Sequence, residues 1–223
     1  MIRSHLIKLN YLQGRCCLFP SHHLTEKNPF EQKVIIDTDG NVILYPDVFR
    51  VEESNQLFCE LYGNIKWKQE IIQLFGKKMP IPRLTAWYGD EGKSYTYSGI
   101  EQHPEPWNPT LNLIKSKIEE IVPVRFNSVL INLYRDGKDT MGWHSDDEPE
   151  LGKNPLIASI SFGATRRFHL RHKYDKSKKT VIDLGSGSVL LMQGQTQHFW
   201  QHQIGRTAKK VEPRINLTFR IVN

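Results

Sequence analysis

Gly142-Trp143-His144-Ser145-Asp146-Asp147-Glu148 is the stretch with the clearest capacity for chemistry. A histidine and a carboxylate two residues apart in extended chain point to the same side, so His144 and Asp146 can grip one metal ion. The spacing alone is weak evidence. With 9 His and 24 acidic residues in 223, a few His-x-Asp/Glu matches arise by chance, and His103-Pro104-Glu105 is another. A working centre also needs a third ligand and a place for a cosubstrate.

Candidates for the third ligand lie downstream, in His198-Phe199-Trp200-Gln201-His202. Two histidines and one carboxylate on one face, with open positions left over, suit a non-haem Fe(II) oxygenase. His202 is far enough along for its strand to return to the same barrel mouth, but His198 competes with it and spacing does not choose. His169 and His172 fall in the basic run Arg166-Arg167-Phe168-His169-Leu170-Arg171-His172-Lys173, where solvated or phosphate-facing roles are expected.

The last strand suggests the cosubstrate. In Arg214-Ile215-Asn216-Leu217-Thr218-Phe219-Arg220, Arg214, Asn216, Thr218 and Arg220 share one face and Ile215, Leu217 and Phe219 the other. If both faces are enclosed, two guanidiniums lie on an inner wall and need anions, since an uncompensated buried charge is costly. A dicarboxylate would serve, because arginine pairs with carboxylates bidentately. An edge strand with one solvated face explains the alternation equally well.

These residues need elements to hold them. Lys33 to Tyr45 carries two apolar runs around a turn and reads as a hairpin. A helix is expected across Glu52 to Tyr62, with Leu57, Phe58 and Leu61 on one face and Cys59 in the core. Asn108-Pro109 opens a second helix, with Leu111, Ile114, Ile118 and Ile121 as its apolar stripe. After it the period becomes two: Ser128 to Tyr134, Leu156 to Phe162, Arg167 to Arg171, Val189 to Met192 and Arg214 to Val222 read as short strands. Gly185-Ser186-Gly187 is a turn. Many short strands after two helices imply a sandwich or jelly roll braced from outside.

Two stretches stay open. Lys66-Trp67-Lys68 and Gln73-Leu74-Phe75-Gly76-Lys77-Lys78 read either as a hairpin with a buried Phe75 or as a basic, apolar tip that wedges between bases. Trp87 and Tyr88 read as core residues or as base-stacking faces, and Tyr95 and Tyr97 share one strand face.

Composition sets the outer bounds. Hydrophobic residues make up 39% and charged residues 24%, which excludes a largely disordered chain, and 223 residues suit one domain. No apolar run approaches membrane-spanning length. The formal charge of +6 permits a polyanionic partner. Cysteines 16, 17 and 59 are odd in number and the adjacent pair suits a disulfide poorly, so a reducing, intracellular location is expected. Residues 1–33, with Arg3, Lys8 and Arg15 and no acid before Glu26, read as a loosely ordered extension, a start codon placed too early or an organelle transit segment; His22 and His23 are surface residues in this reading.

Taken in order, Asn132-x-Tyr134, His144-x-Asp146-Asp147-Glu148, Ser159 to Gly163, His202 and Arg214-x-Asn216-Leu217-Thr218-Phe219-Arg220 resemble the AlkB family of Fe(II)- and 2-oxoglutarate-dependent nucleic-acid demethylases. Pro82-Arg83, Tyr88-Gly89-Asp90 and Tyr95-Thr96-Tyr97-Ser98-Gly99 resemble its animal-type DNA repair branch, and the match runs from roughly residue 45 to 223. The resemblance implies an α+β, mainly β fold: a double-stranded β-helix (jelly roll) core over about 126–222, buttressed by two helices, with a nucleotide-recognition hairpin region over about 66–100. Residues 34–223 would form this single domain and 1–33 an N-terminal extension.

By position it implies His144, Asp146 and His202 as iron ligands, preferring His202 to His198. It implies Arg214 and Arg220 as partners of the 2-oxoglutarate carboxylates, with accessory contacts from Asn132, Tyr134 and Asn216. Tyr97 would stack the target base against His144, with Tyr95 nearby, and Glu148 and Asp147 would lie beside the damaged base. Leu74 and Phe75 would be the wedge that fills the gap left by a flipped base, and Arg83, Arg166, Arg171 and Lys173 nucleic-acid contacts.

The implied reaction is repair of alkylated DNA by oxidative demethylation of N1-methyladenine and N3-methylcytosine, using Fe(II), 2-oxoglutarate and O2 and releasing formaldehyde and succinate. Single- or double-stranded DNA is the expected partner, RNA a further one, with no membrane and a monomeric protein. An RNA or protein demethylase or hydroxylase, and an inactive nucleic-acid-binding jelly roll, are the alternatives on the same fold. The expected location is cytoplasmic in a prokaryote and nuclear in a eukaryote.

Overall fold

A computed structural model describes residues 30–74, 76–92, 95–97 and 100–223. The expected extension lies outside the described residues up to residue 29, as do Phe75 and the side chains of Leu74, Tyr95 and Tyr97. In chain order the elements are β1 (Lys33–Ile36), β2 (Asn41–Tyr45), α1 (Val51–Asn64), β3 (Ile71–Leu74), β4 (Lys77–Pro80), β5 (Leu84–Gly89), β6 (Tyr95–Tyr97) and β7 (Ile100–Gln102). Then come β8 (Glu105–Pro106), α2 (Pro109–Glu119), β9 (Ser128–Tyr134), β10 (Met141–His144), β11 (Ile157–Gly163), β12 (Arg166–His172) and β13 (Lys179–Leu184). The chain closes with β14 (Val189–Gln193), α3 (Thr196–Phe199), β15 (Trp200–Ile204) and β16 (Arg214–Arg220).

The alternating runs fold into two facing sheets. An 8-stranded sheet has the order β1-β2-β14-β11-β16-β9-β5-β8, and a 4-stranded sheet the order β10-β15-β12-β13. The larger sheet is antiparallel except where β8 pairs parallel to β5. This is the expected jelly roll, but its larger sheet draws on more chain than residues 126–222. β2 pairs with β14 and β5 with β9, so the early strands cover edges that would otherwise expose unpaired backbone.

Alternation gives the larger sheet two different faces. On one, Val129, Ile131, Leu133, Ile215, Leu217 and Phe219 join a buried cluster with Leu57 and Leu61 of α1 and Leu111, Ile114 and Ile118 of α2. Truncating any one of these to alanine should cost about 2–5 kcal/mol. α2 begins as expected, with the Asn108 side chain accepting from the Leu111 amide at 2.8 Å ahead of Pro109. Cys59 is not in the core. It is exposed, because the buried stripe of α1 runs through Ser54, Leu57 and Leu61, and Cys59 lies roughly 200° around the helix from Leu57. At the turn before β14, Gly187 has φ +84 and its carbonyl accepts from Val48 and Phe49; a Cβ there would run into the Phe49 carbonyl.

The other face looks toward the smaller sheet across a second buried cluster that includes Leu44, Tyr134, Phe168, Leu170, Met192 and Ile204. β16 is therefore a central strand enclosed on both sides, and the edge-strand reading fails. β3 and β4 form the expected hairpin around Gly76, with Ile71 and Met79 exposed. Tyr88 is buried and its hydroxyl accepts from the Lys66 amide; the half-buried Trp87 donates to Ser128 Oγ at 2.7 Å. Both are packing residues rather than free stacking faces.

Candidate active site

The connection from β9 to β10 delivers the His144 motif, and it is braced before it arrives. Arg135 donates from Nε and Nη2 to the Asp139 carboxylate at 2.7 and 2.9 Å. The Arg166 guanidinium donates to the backbone carbonyls of Asp136, Asp139 and Gly205. Arg166 is buried with these partners, so it does not face nucleic acid as the basic run suggested. A side chain able to reach three carbonyls at once fixes the loop that no regular hydrogen-bond ladder supports.

β10 then pairs with β15 so that His144 lies opposite His202, with an irregularity between Met141 and His144 that re-aims the strand. Along β15 the buried positions are Trp200, His202 and Ile204, which turns His202 inward. His198 is exposed on α3, and the contest between them is decided by this alternation. The rival pair fails as well. His103 is exposed, and Glu105 is taken by Lys66 at 2.7 Å and Lys68 at 3.6 Å.

Donor atoms of His144, Asp146 and His202 all lie within 4.8 Å of one another, the one such metal-compatible group among the described residues. His144 Nε2 is 3.9 Å from Asp146 Oδ1. His144 Nδ1 lies 2.9 Å from the Gly142 carbonyl, which can only accept, so Nδ1 is the donor of that contact and Nε2 is the ring nitrogen left for a metal. Burial, with a smaller repulsion from His144, drives His202 down to a pKa of about 3 against the opposing pull of Asp146, so its imidazole is neutral and ready to ligate. Burial pushes the Asp146 carboxyl up, but the Arg220 guanidinium 2.7 Å away, helped by His202 and His144, holds it below the usual aspartate value. Two histidines and one ionised carboxylate are the donor set of a divalent iron site.

Facing this group is the polar side of β16 and β9. Arg214, at 1% exposure, donates from Nη2 to Ser161 Oγ at 2.9 Å, while its Nε and Nη1 and the Nε of Arg220 have no hydrogen-bond partner among the described residues. Burial lowers Arg214 to about 10, which leaves it charged at neutral pH and seated over the Tyr134 ring, 5.3 Å from its centroid. Unmet donors on a buried cation are expensive, so this wall is built for an anion. Asn132, Tyr134, Asn216, Ser159 and Thr218 line the same pocket. Asn216 commits its amide to Ser159 Oγ and the Ile160 carbonyl, both at 2.9 Å, which makes it a brace of the wall. Asn132 accepts from Arg83 Nε at 2.7 Å, so Arg83 points inward at this pocket, half-buried.

Glu148 is half-buried, its Oε2 without a hydrogen-bond partner among the described residues, and Asp147 is exposed with Lys173 Nζ at 3.1 Å. Arg171 is exposed on β12. Tyr95 and Tyr97 sit on β6, which pairs with β7. Sequence reasoning missed Gln197. It is buried beside the metal group, and its Oε1 accepts from the Asp146 amide at 2.9 Å while its carbonyl accepts from Lys173. Nothing in the run Gln195-Thr196-Gln197 distinguishes it, because the signal is a contact across 51 residues.

The sequence profile of the 2OG-Fe(II) oxygenase superfamily matches residues 41–220. Human "Alpha-ketoglutarate-dependent dioxygenase alkB homolog 3" is 45% identical over 192 residues, covering 82% of this chain and 66% of the relative, so the chain spans just under two thirds of that protein's length. Mouse "DNA oxidative demethylase ALKBH2" is 39% identical over 186 residues, covering 79% and 78%. Among solved structures, OsALKBH1 superposes with a TM-score of 0.56 at 18% identity, covering 81% of this chain and 96% of that one, a likeness of fold.

Proposed function

The chain belongs to the 2OG-Fe(II) oxygenase superfamily, on its AlkB branch, and from that membership we propose that it is an Fe(II)- and 2-oxoglutarate-dependent dioxygenase that repairs alkylated DNA by oxidative demethylation of N1-methyladenine and N3-methylcytosine. The reading is carried by one observation: unpartnered guanidinium donors of Arg214 and Arg220 line the pocket that also holds His144, Asp146 and His202. Fe(II) held by those three residues, supplied with 2-oxoglutarate and O2, provides an oxidation in which the cosubstrate leaves as succinate and CO2 and the N-methyl carbon as formaldehyde.

The chain's own residues prepare that chemistry. His202 presents a neutral imidazole, His144 turns Nε2 toward the same group, and Asp146 is kept ionised by Arg220. Arg214 and Arg220 take the carboxylates of 2-oxoglutarate through their free donors, with Tyr134 and Asn132 beside them. A methyl on N1 of adenine or N3 of cytosine blocks pairing and leaves the base cationic, so such a base is cheaper to flip out. Glu148 and Asp147 favour that cation, Tyr97 and Tyr95 provide aromatic faces for it, and Leu74 and Phe75 fill the vacated stack. Arg83, Arg171 and Lys173 complete the proposed nucleic-acid contacts, Arg166 being withdrawn from them. The protein acts as an intracellular monomer in this reading, nuclear if its source is a eukaryote and cytoplasmic if a prokaryote.

Formaldehyde release from methylated single- and double-stranded DNA and RNA, with and without Fe(II) and 2-oxoglutarate, tests the proposal. Release that requires both and disappears in His144→Ala supports it. Metal-independent release, or unaltered turnover in His144→Ala, refutes it; release from RNA alone moves the substrate from DNA to RNA.

A further inference from the structure

The outer face of the smaller sheet carries side chains that neither the core nor the metal pocket uses. Phe168, Leu170, His202 and Ile204 are buried, so their alternates on β12 and β15 face out. Cross-strand pairing aligns Lys179, Arg171 and Gln201 across that face, and Trp143 of β10 lines the same groove. The Arg171 guanidinium lies 4.1 Å from the centroid of the Trp143 ring. Its Nε and Nη2 donate to Gln201 Oε1 at 3.1 and 2.9 Å. Gln201 is neutral, so it sets the plane of the guanidinium without cancelling its charge, and Nη1 has no hydrogen-bond partner among the described residues.

Lys173, Lys176 and Lys179 also line the groove and no acidic side chain does, although Asp147 reaches Lys173 from outside it. The groove encloses ≈ 790 Å³, within the roughly 300–1,000 Å³ of ordinary ligand sites. Unpaired cations beside a half-buried indole with a guanidinium over its ring are the chemistry that tracks a phosphate backbone while giving bases a surface to lie on. Trp143 directly precedes His144, so this surface begins one residue from the metal pocket.

We infer that the stacked Trp143 and Arg171 seat the nucleotide flanking the target base, with a single nucleic-acid strand crossing this face and its phosphates on Arg171, Lys176 and Lys179. The inference rests on the nucleic-acid reading of the pocket and adds a strand path and a minimum substrate to it. A free methylated nucleotide reaches the metal pocket but leaves the flanking seat empty.

The test uses the full chain with Mn(II) and 2-oxoglutarate and reads fluorescence anisotropy of a labelled, unmethylated DNA hexanucleotide. Trp143→Ala should weaken binding roughly 10- to 100-fold, the effect of losing one base stack, and Trp143→Phe should retain most of it. Lys176→Ala with Lys179→Ala should flatten the slope of log affinity against log salt by about 0.7 per lost phosphate contact. Arg171→Gln, at an exposed position, repeats the measurement should Trp143→Ala fold poorly. With native protein, kcat/KM should rise at least about 10-fold from a methylated mononucleotide to a trinucleotide. Hexanucleotide affinity unchanged in both Trp143→Ala and Arg171→Gln, or an unchanged salt slope in the lysine variant, overturns the strand path. Because the strand is unmethylated, Trp143-dependent binding without formaldehyde from any substrate sinks only the proposed reaction.

Discussion

Arg214→Met keeps the length of a large side chain and removes the guanidinium, and it should act in opposite directions on the free protein and on cosubstrate binding. In the free protein Nε and Nη1 are buried without partners, a burden of about 1–3 kcal/mol for each donor. Against this, the substitution loses the Ser161 hydrogen bond and the contact with Tyr134, together about 1–3 kcal/mol. The net expectation runs from a loss of about 1 kcal/mol to a gain of about 5 kcal/mol and centres on a gain of about 2 kcal/mol, a rise of several degrees in Tm for a chain of this size. Cosubstrate binding should suffer, because two charge-assisted hydrogen bonds at about 1.5–3 kcal/mol each correspond to a fall of about 10²–10⁴ in affinity. Thermal melts with and without 2-oxoglutarate, using Mn(II) to prevent turnover, read both effects at once. Wild-type protein should gain about 2.7 kcal/mol at a hundredfold excess over Kd, and the variant should gain at most about 0.4 kcal/mol at the same concentration. A variant that melts earlier than wild type and still responds fully to 2-oxoglutarate would refute the anion-wall argument.

Gln197→Leu removes the acceptor for the Asp146 amide and should lower metal affinity about 10–100-fold, measured by Co(II) absorption titration; unchanged affinity would reduce Gln197 to a packing residue. Arg166→Met orphans the carbonyls of Asp136, Asp139 and Gly205, so stability should fall by about 2–4 kcal/mol in denaturant melts. The salt slope of DNA binding should stay the same, and a shallower slope would restore Arg166 to the phosphate contacts. For Asp139, burial raises the carboxyl pKa but hydrogen bonds from Arg135 and the charges of Arg135 and Arg166 bring it below the usual aspartate value. A depressed folded value stabilises the protein above the ordinary aspartate range and is lost as pH falls through the folded value. Asp139→Asn should therefore cost about 1–3 kcal/mol at neutral pH and less as the pH drops below that range. Parallel stability curves for both proteins across the acid limb would show that Asp139 contributes nothing to the pH dependence.

Much of the fold was legible because its signals are local. The capping Asn108, the apolar stripe of α2 and the alternation of β9 and β16 depend on neighbours within a turn or a pleat. So does the side-sharing of His144 and Asp146, and the ordered series of motifs pointed to the family before any strand was placed. What alternation cannot state is which side of a strand meets what. Whether the arginine face of β16 meets solvent or a second sheet depends on its place between β11 and β9, a pairing across more than 50 residues. The same holds for the choice of His202 over His198, set by the β10 and β15 register, and for Arg166, whose charge read as surface until three carbonyls from distant turns closed around it. Cys59 and Gln197 were misplaced or missed because burial is a property of the opposing element and leaves no mark on the residue's own neighbours. The residue types determined what chemistry the chain can do; only the tertiary register determined which donors share one pocket, because ligation and charge compensation fall off within a few ångströms.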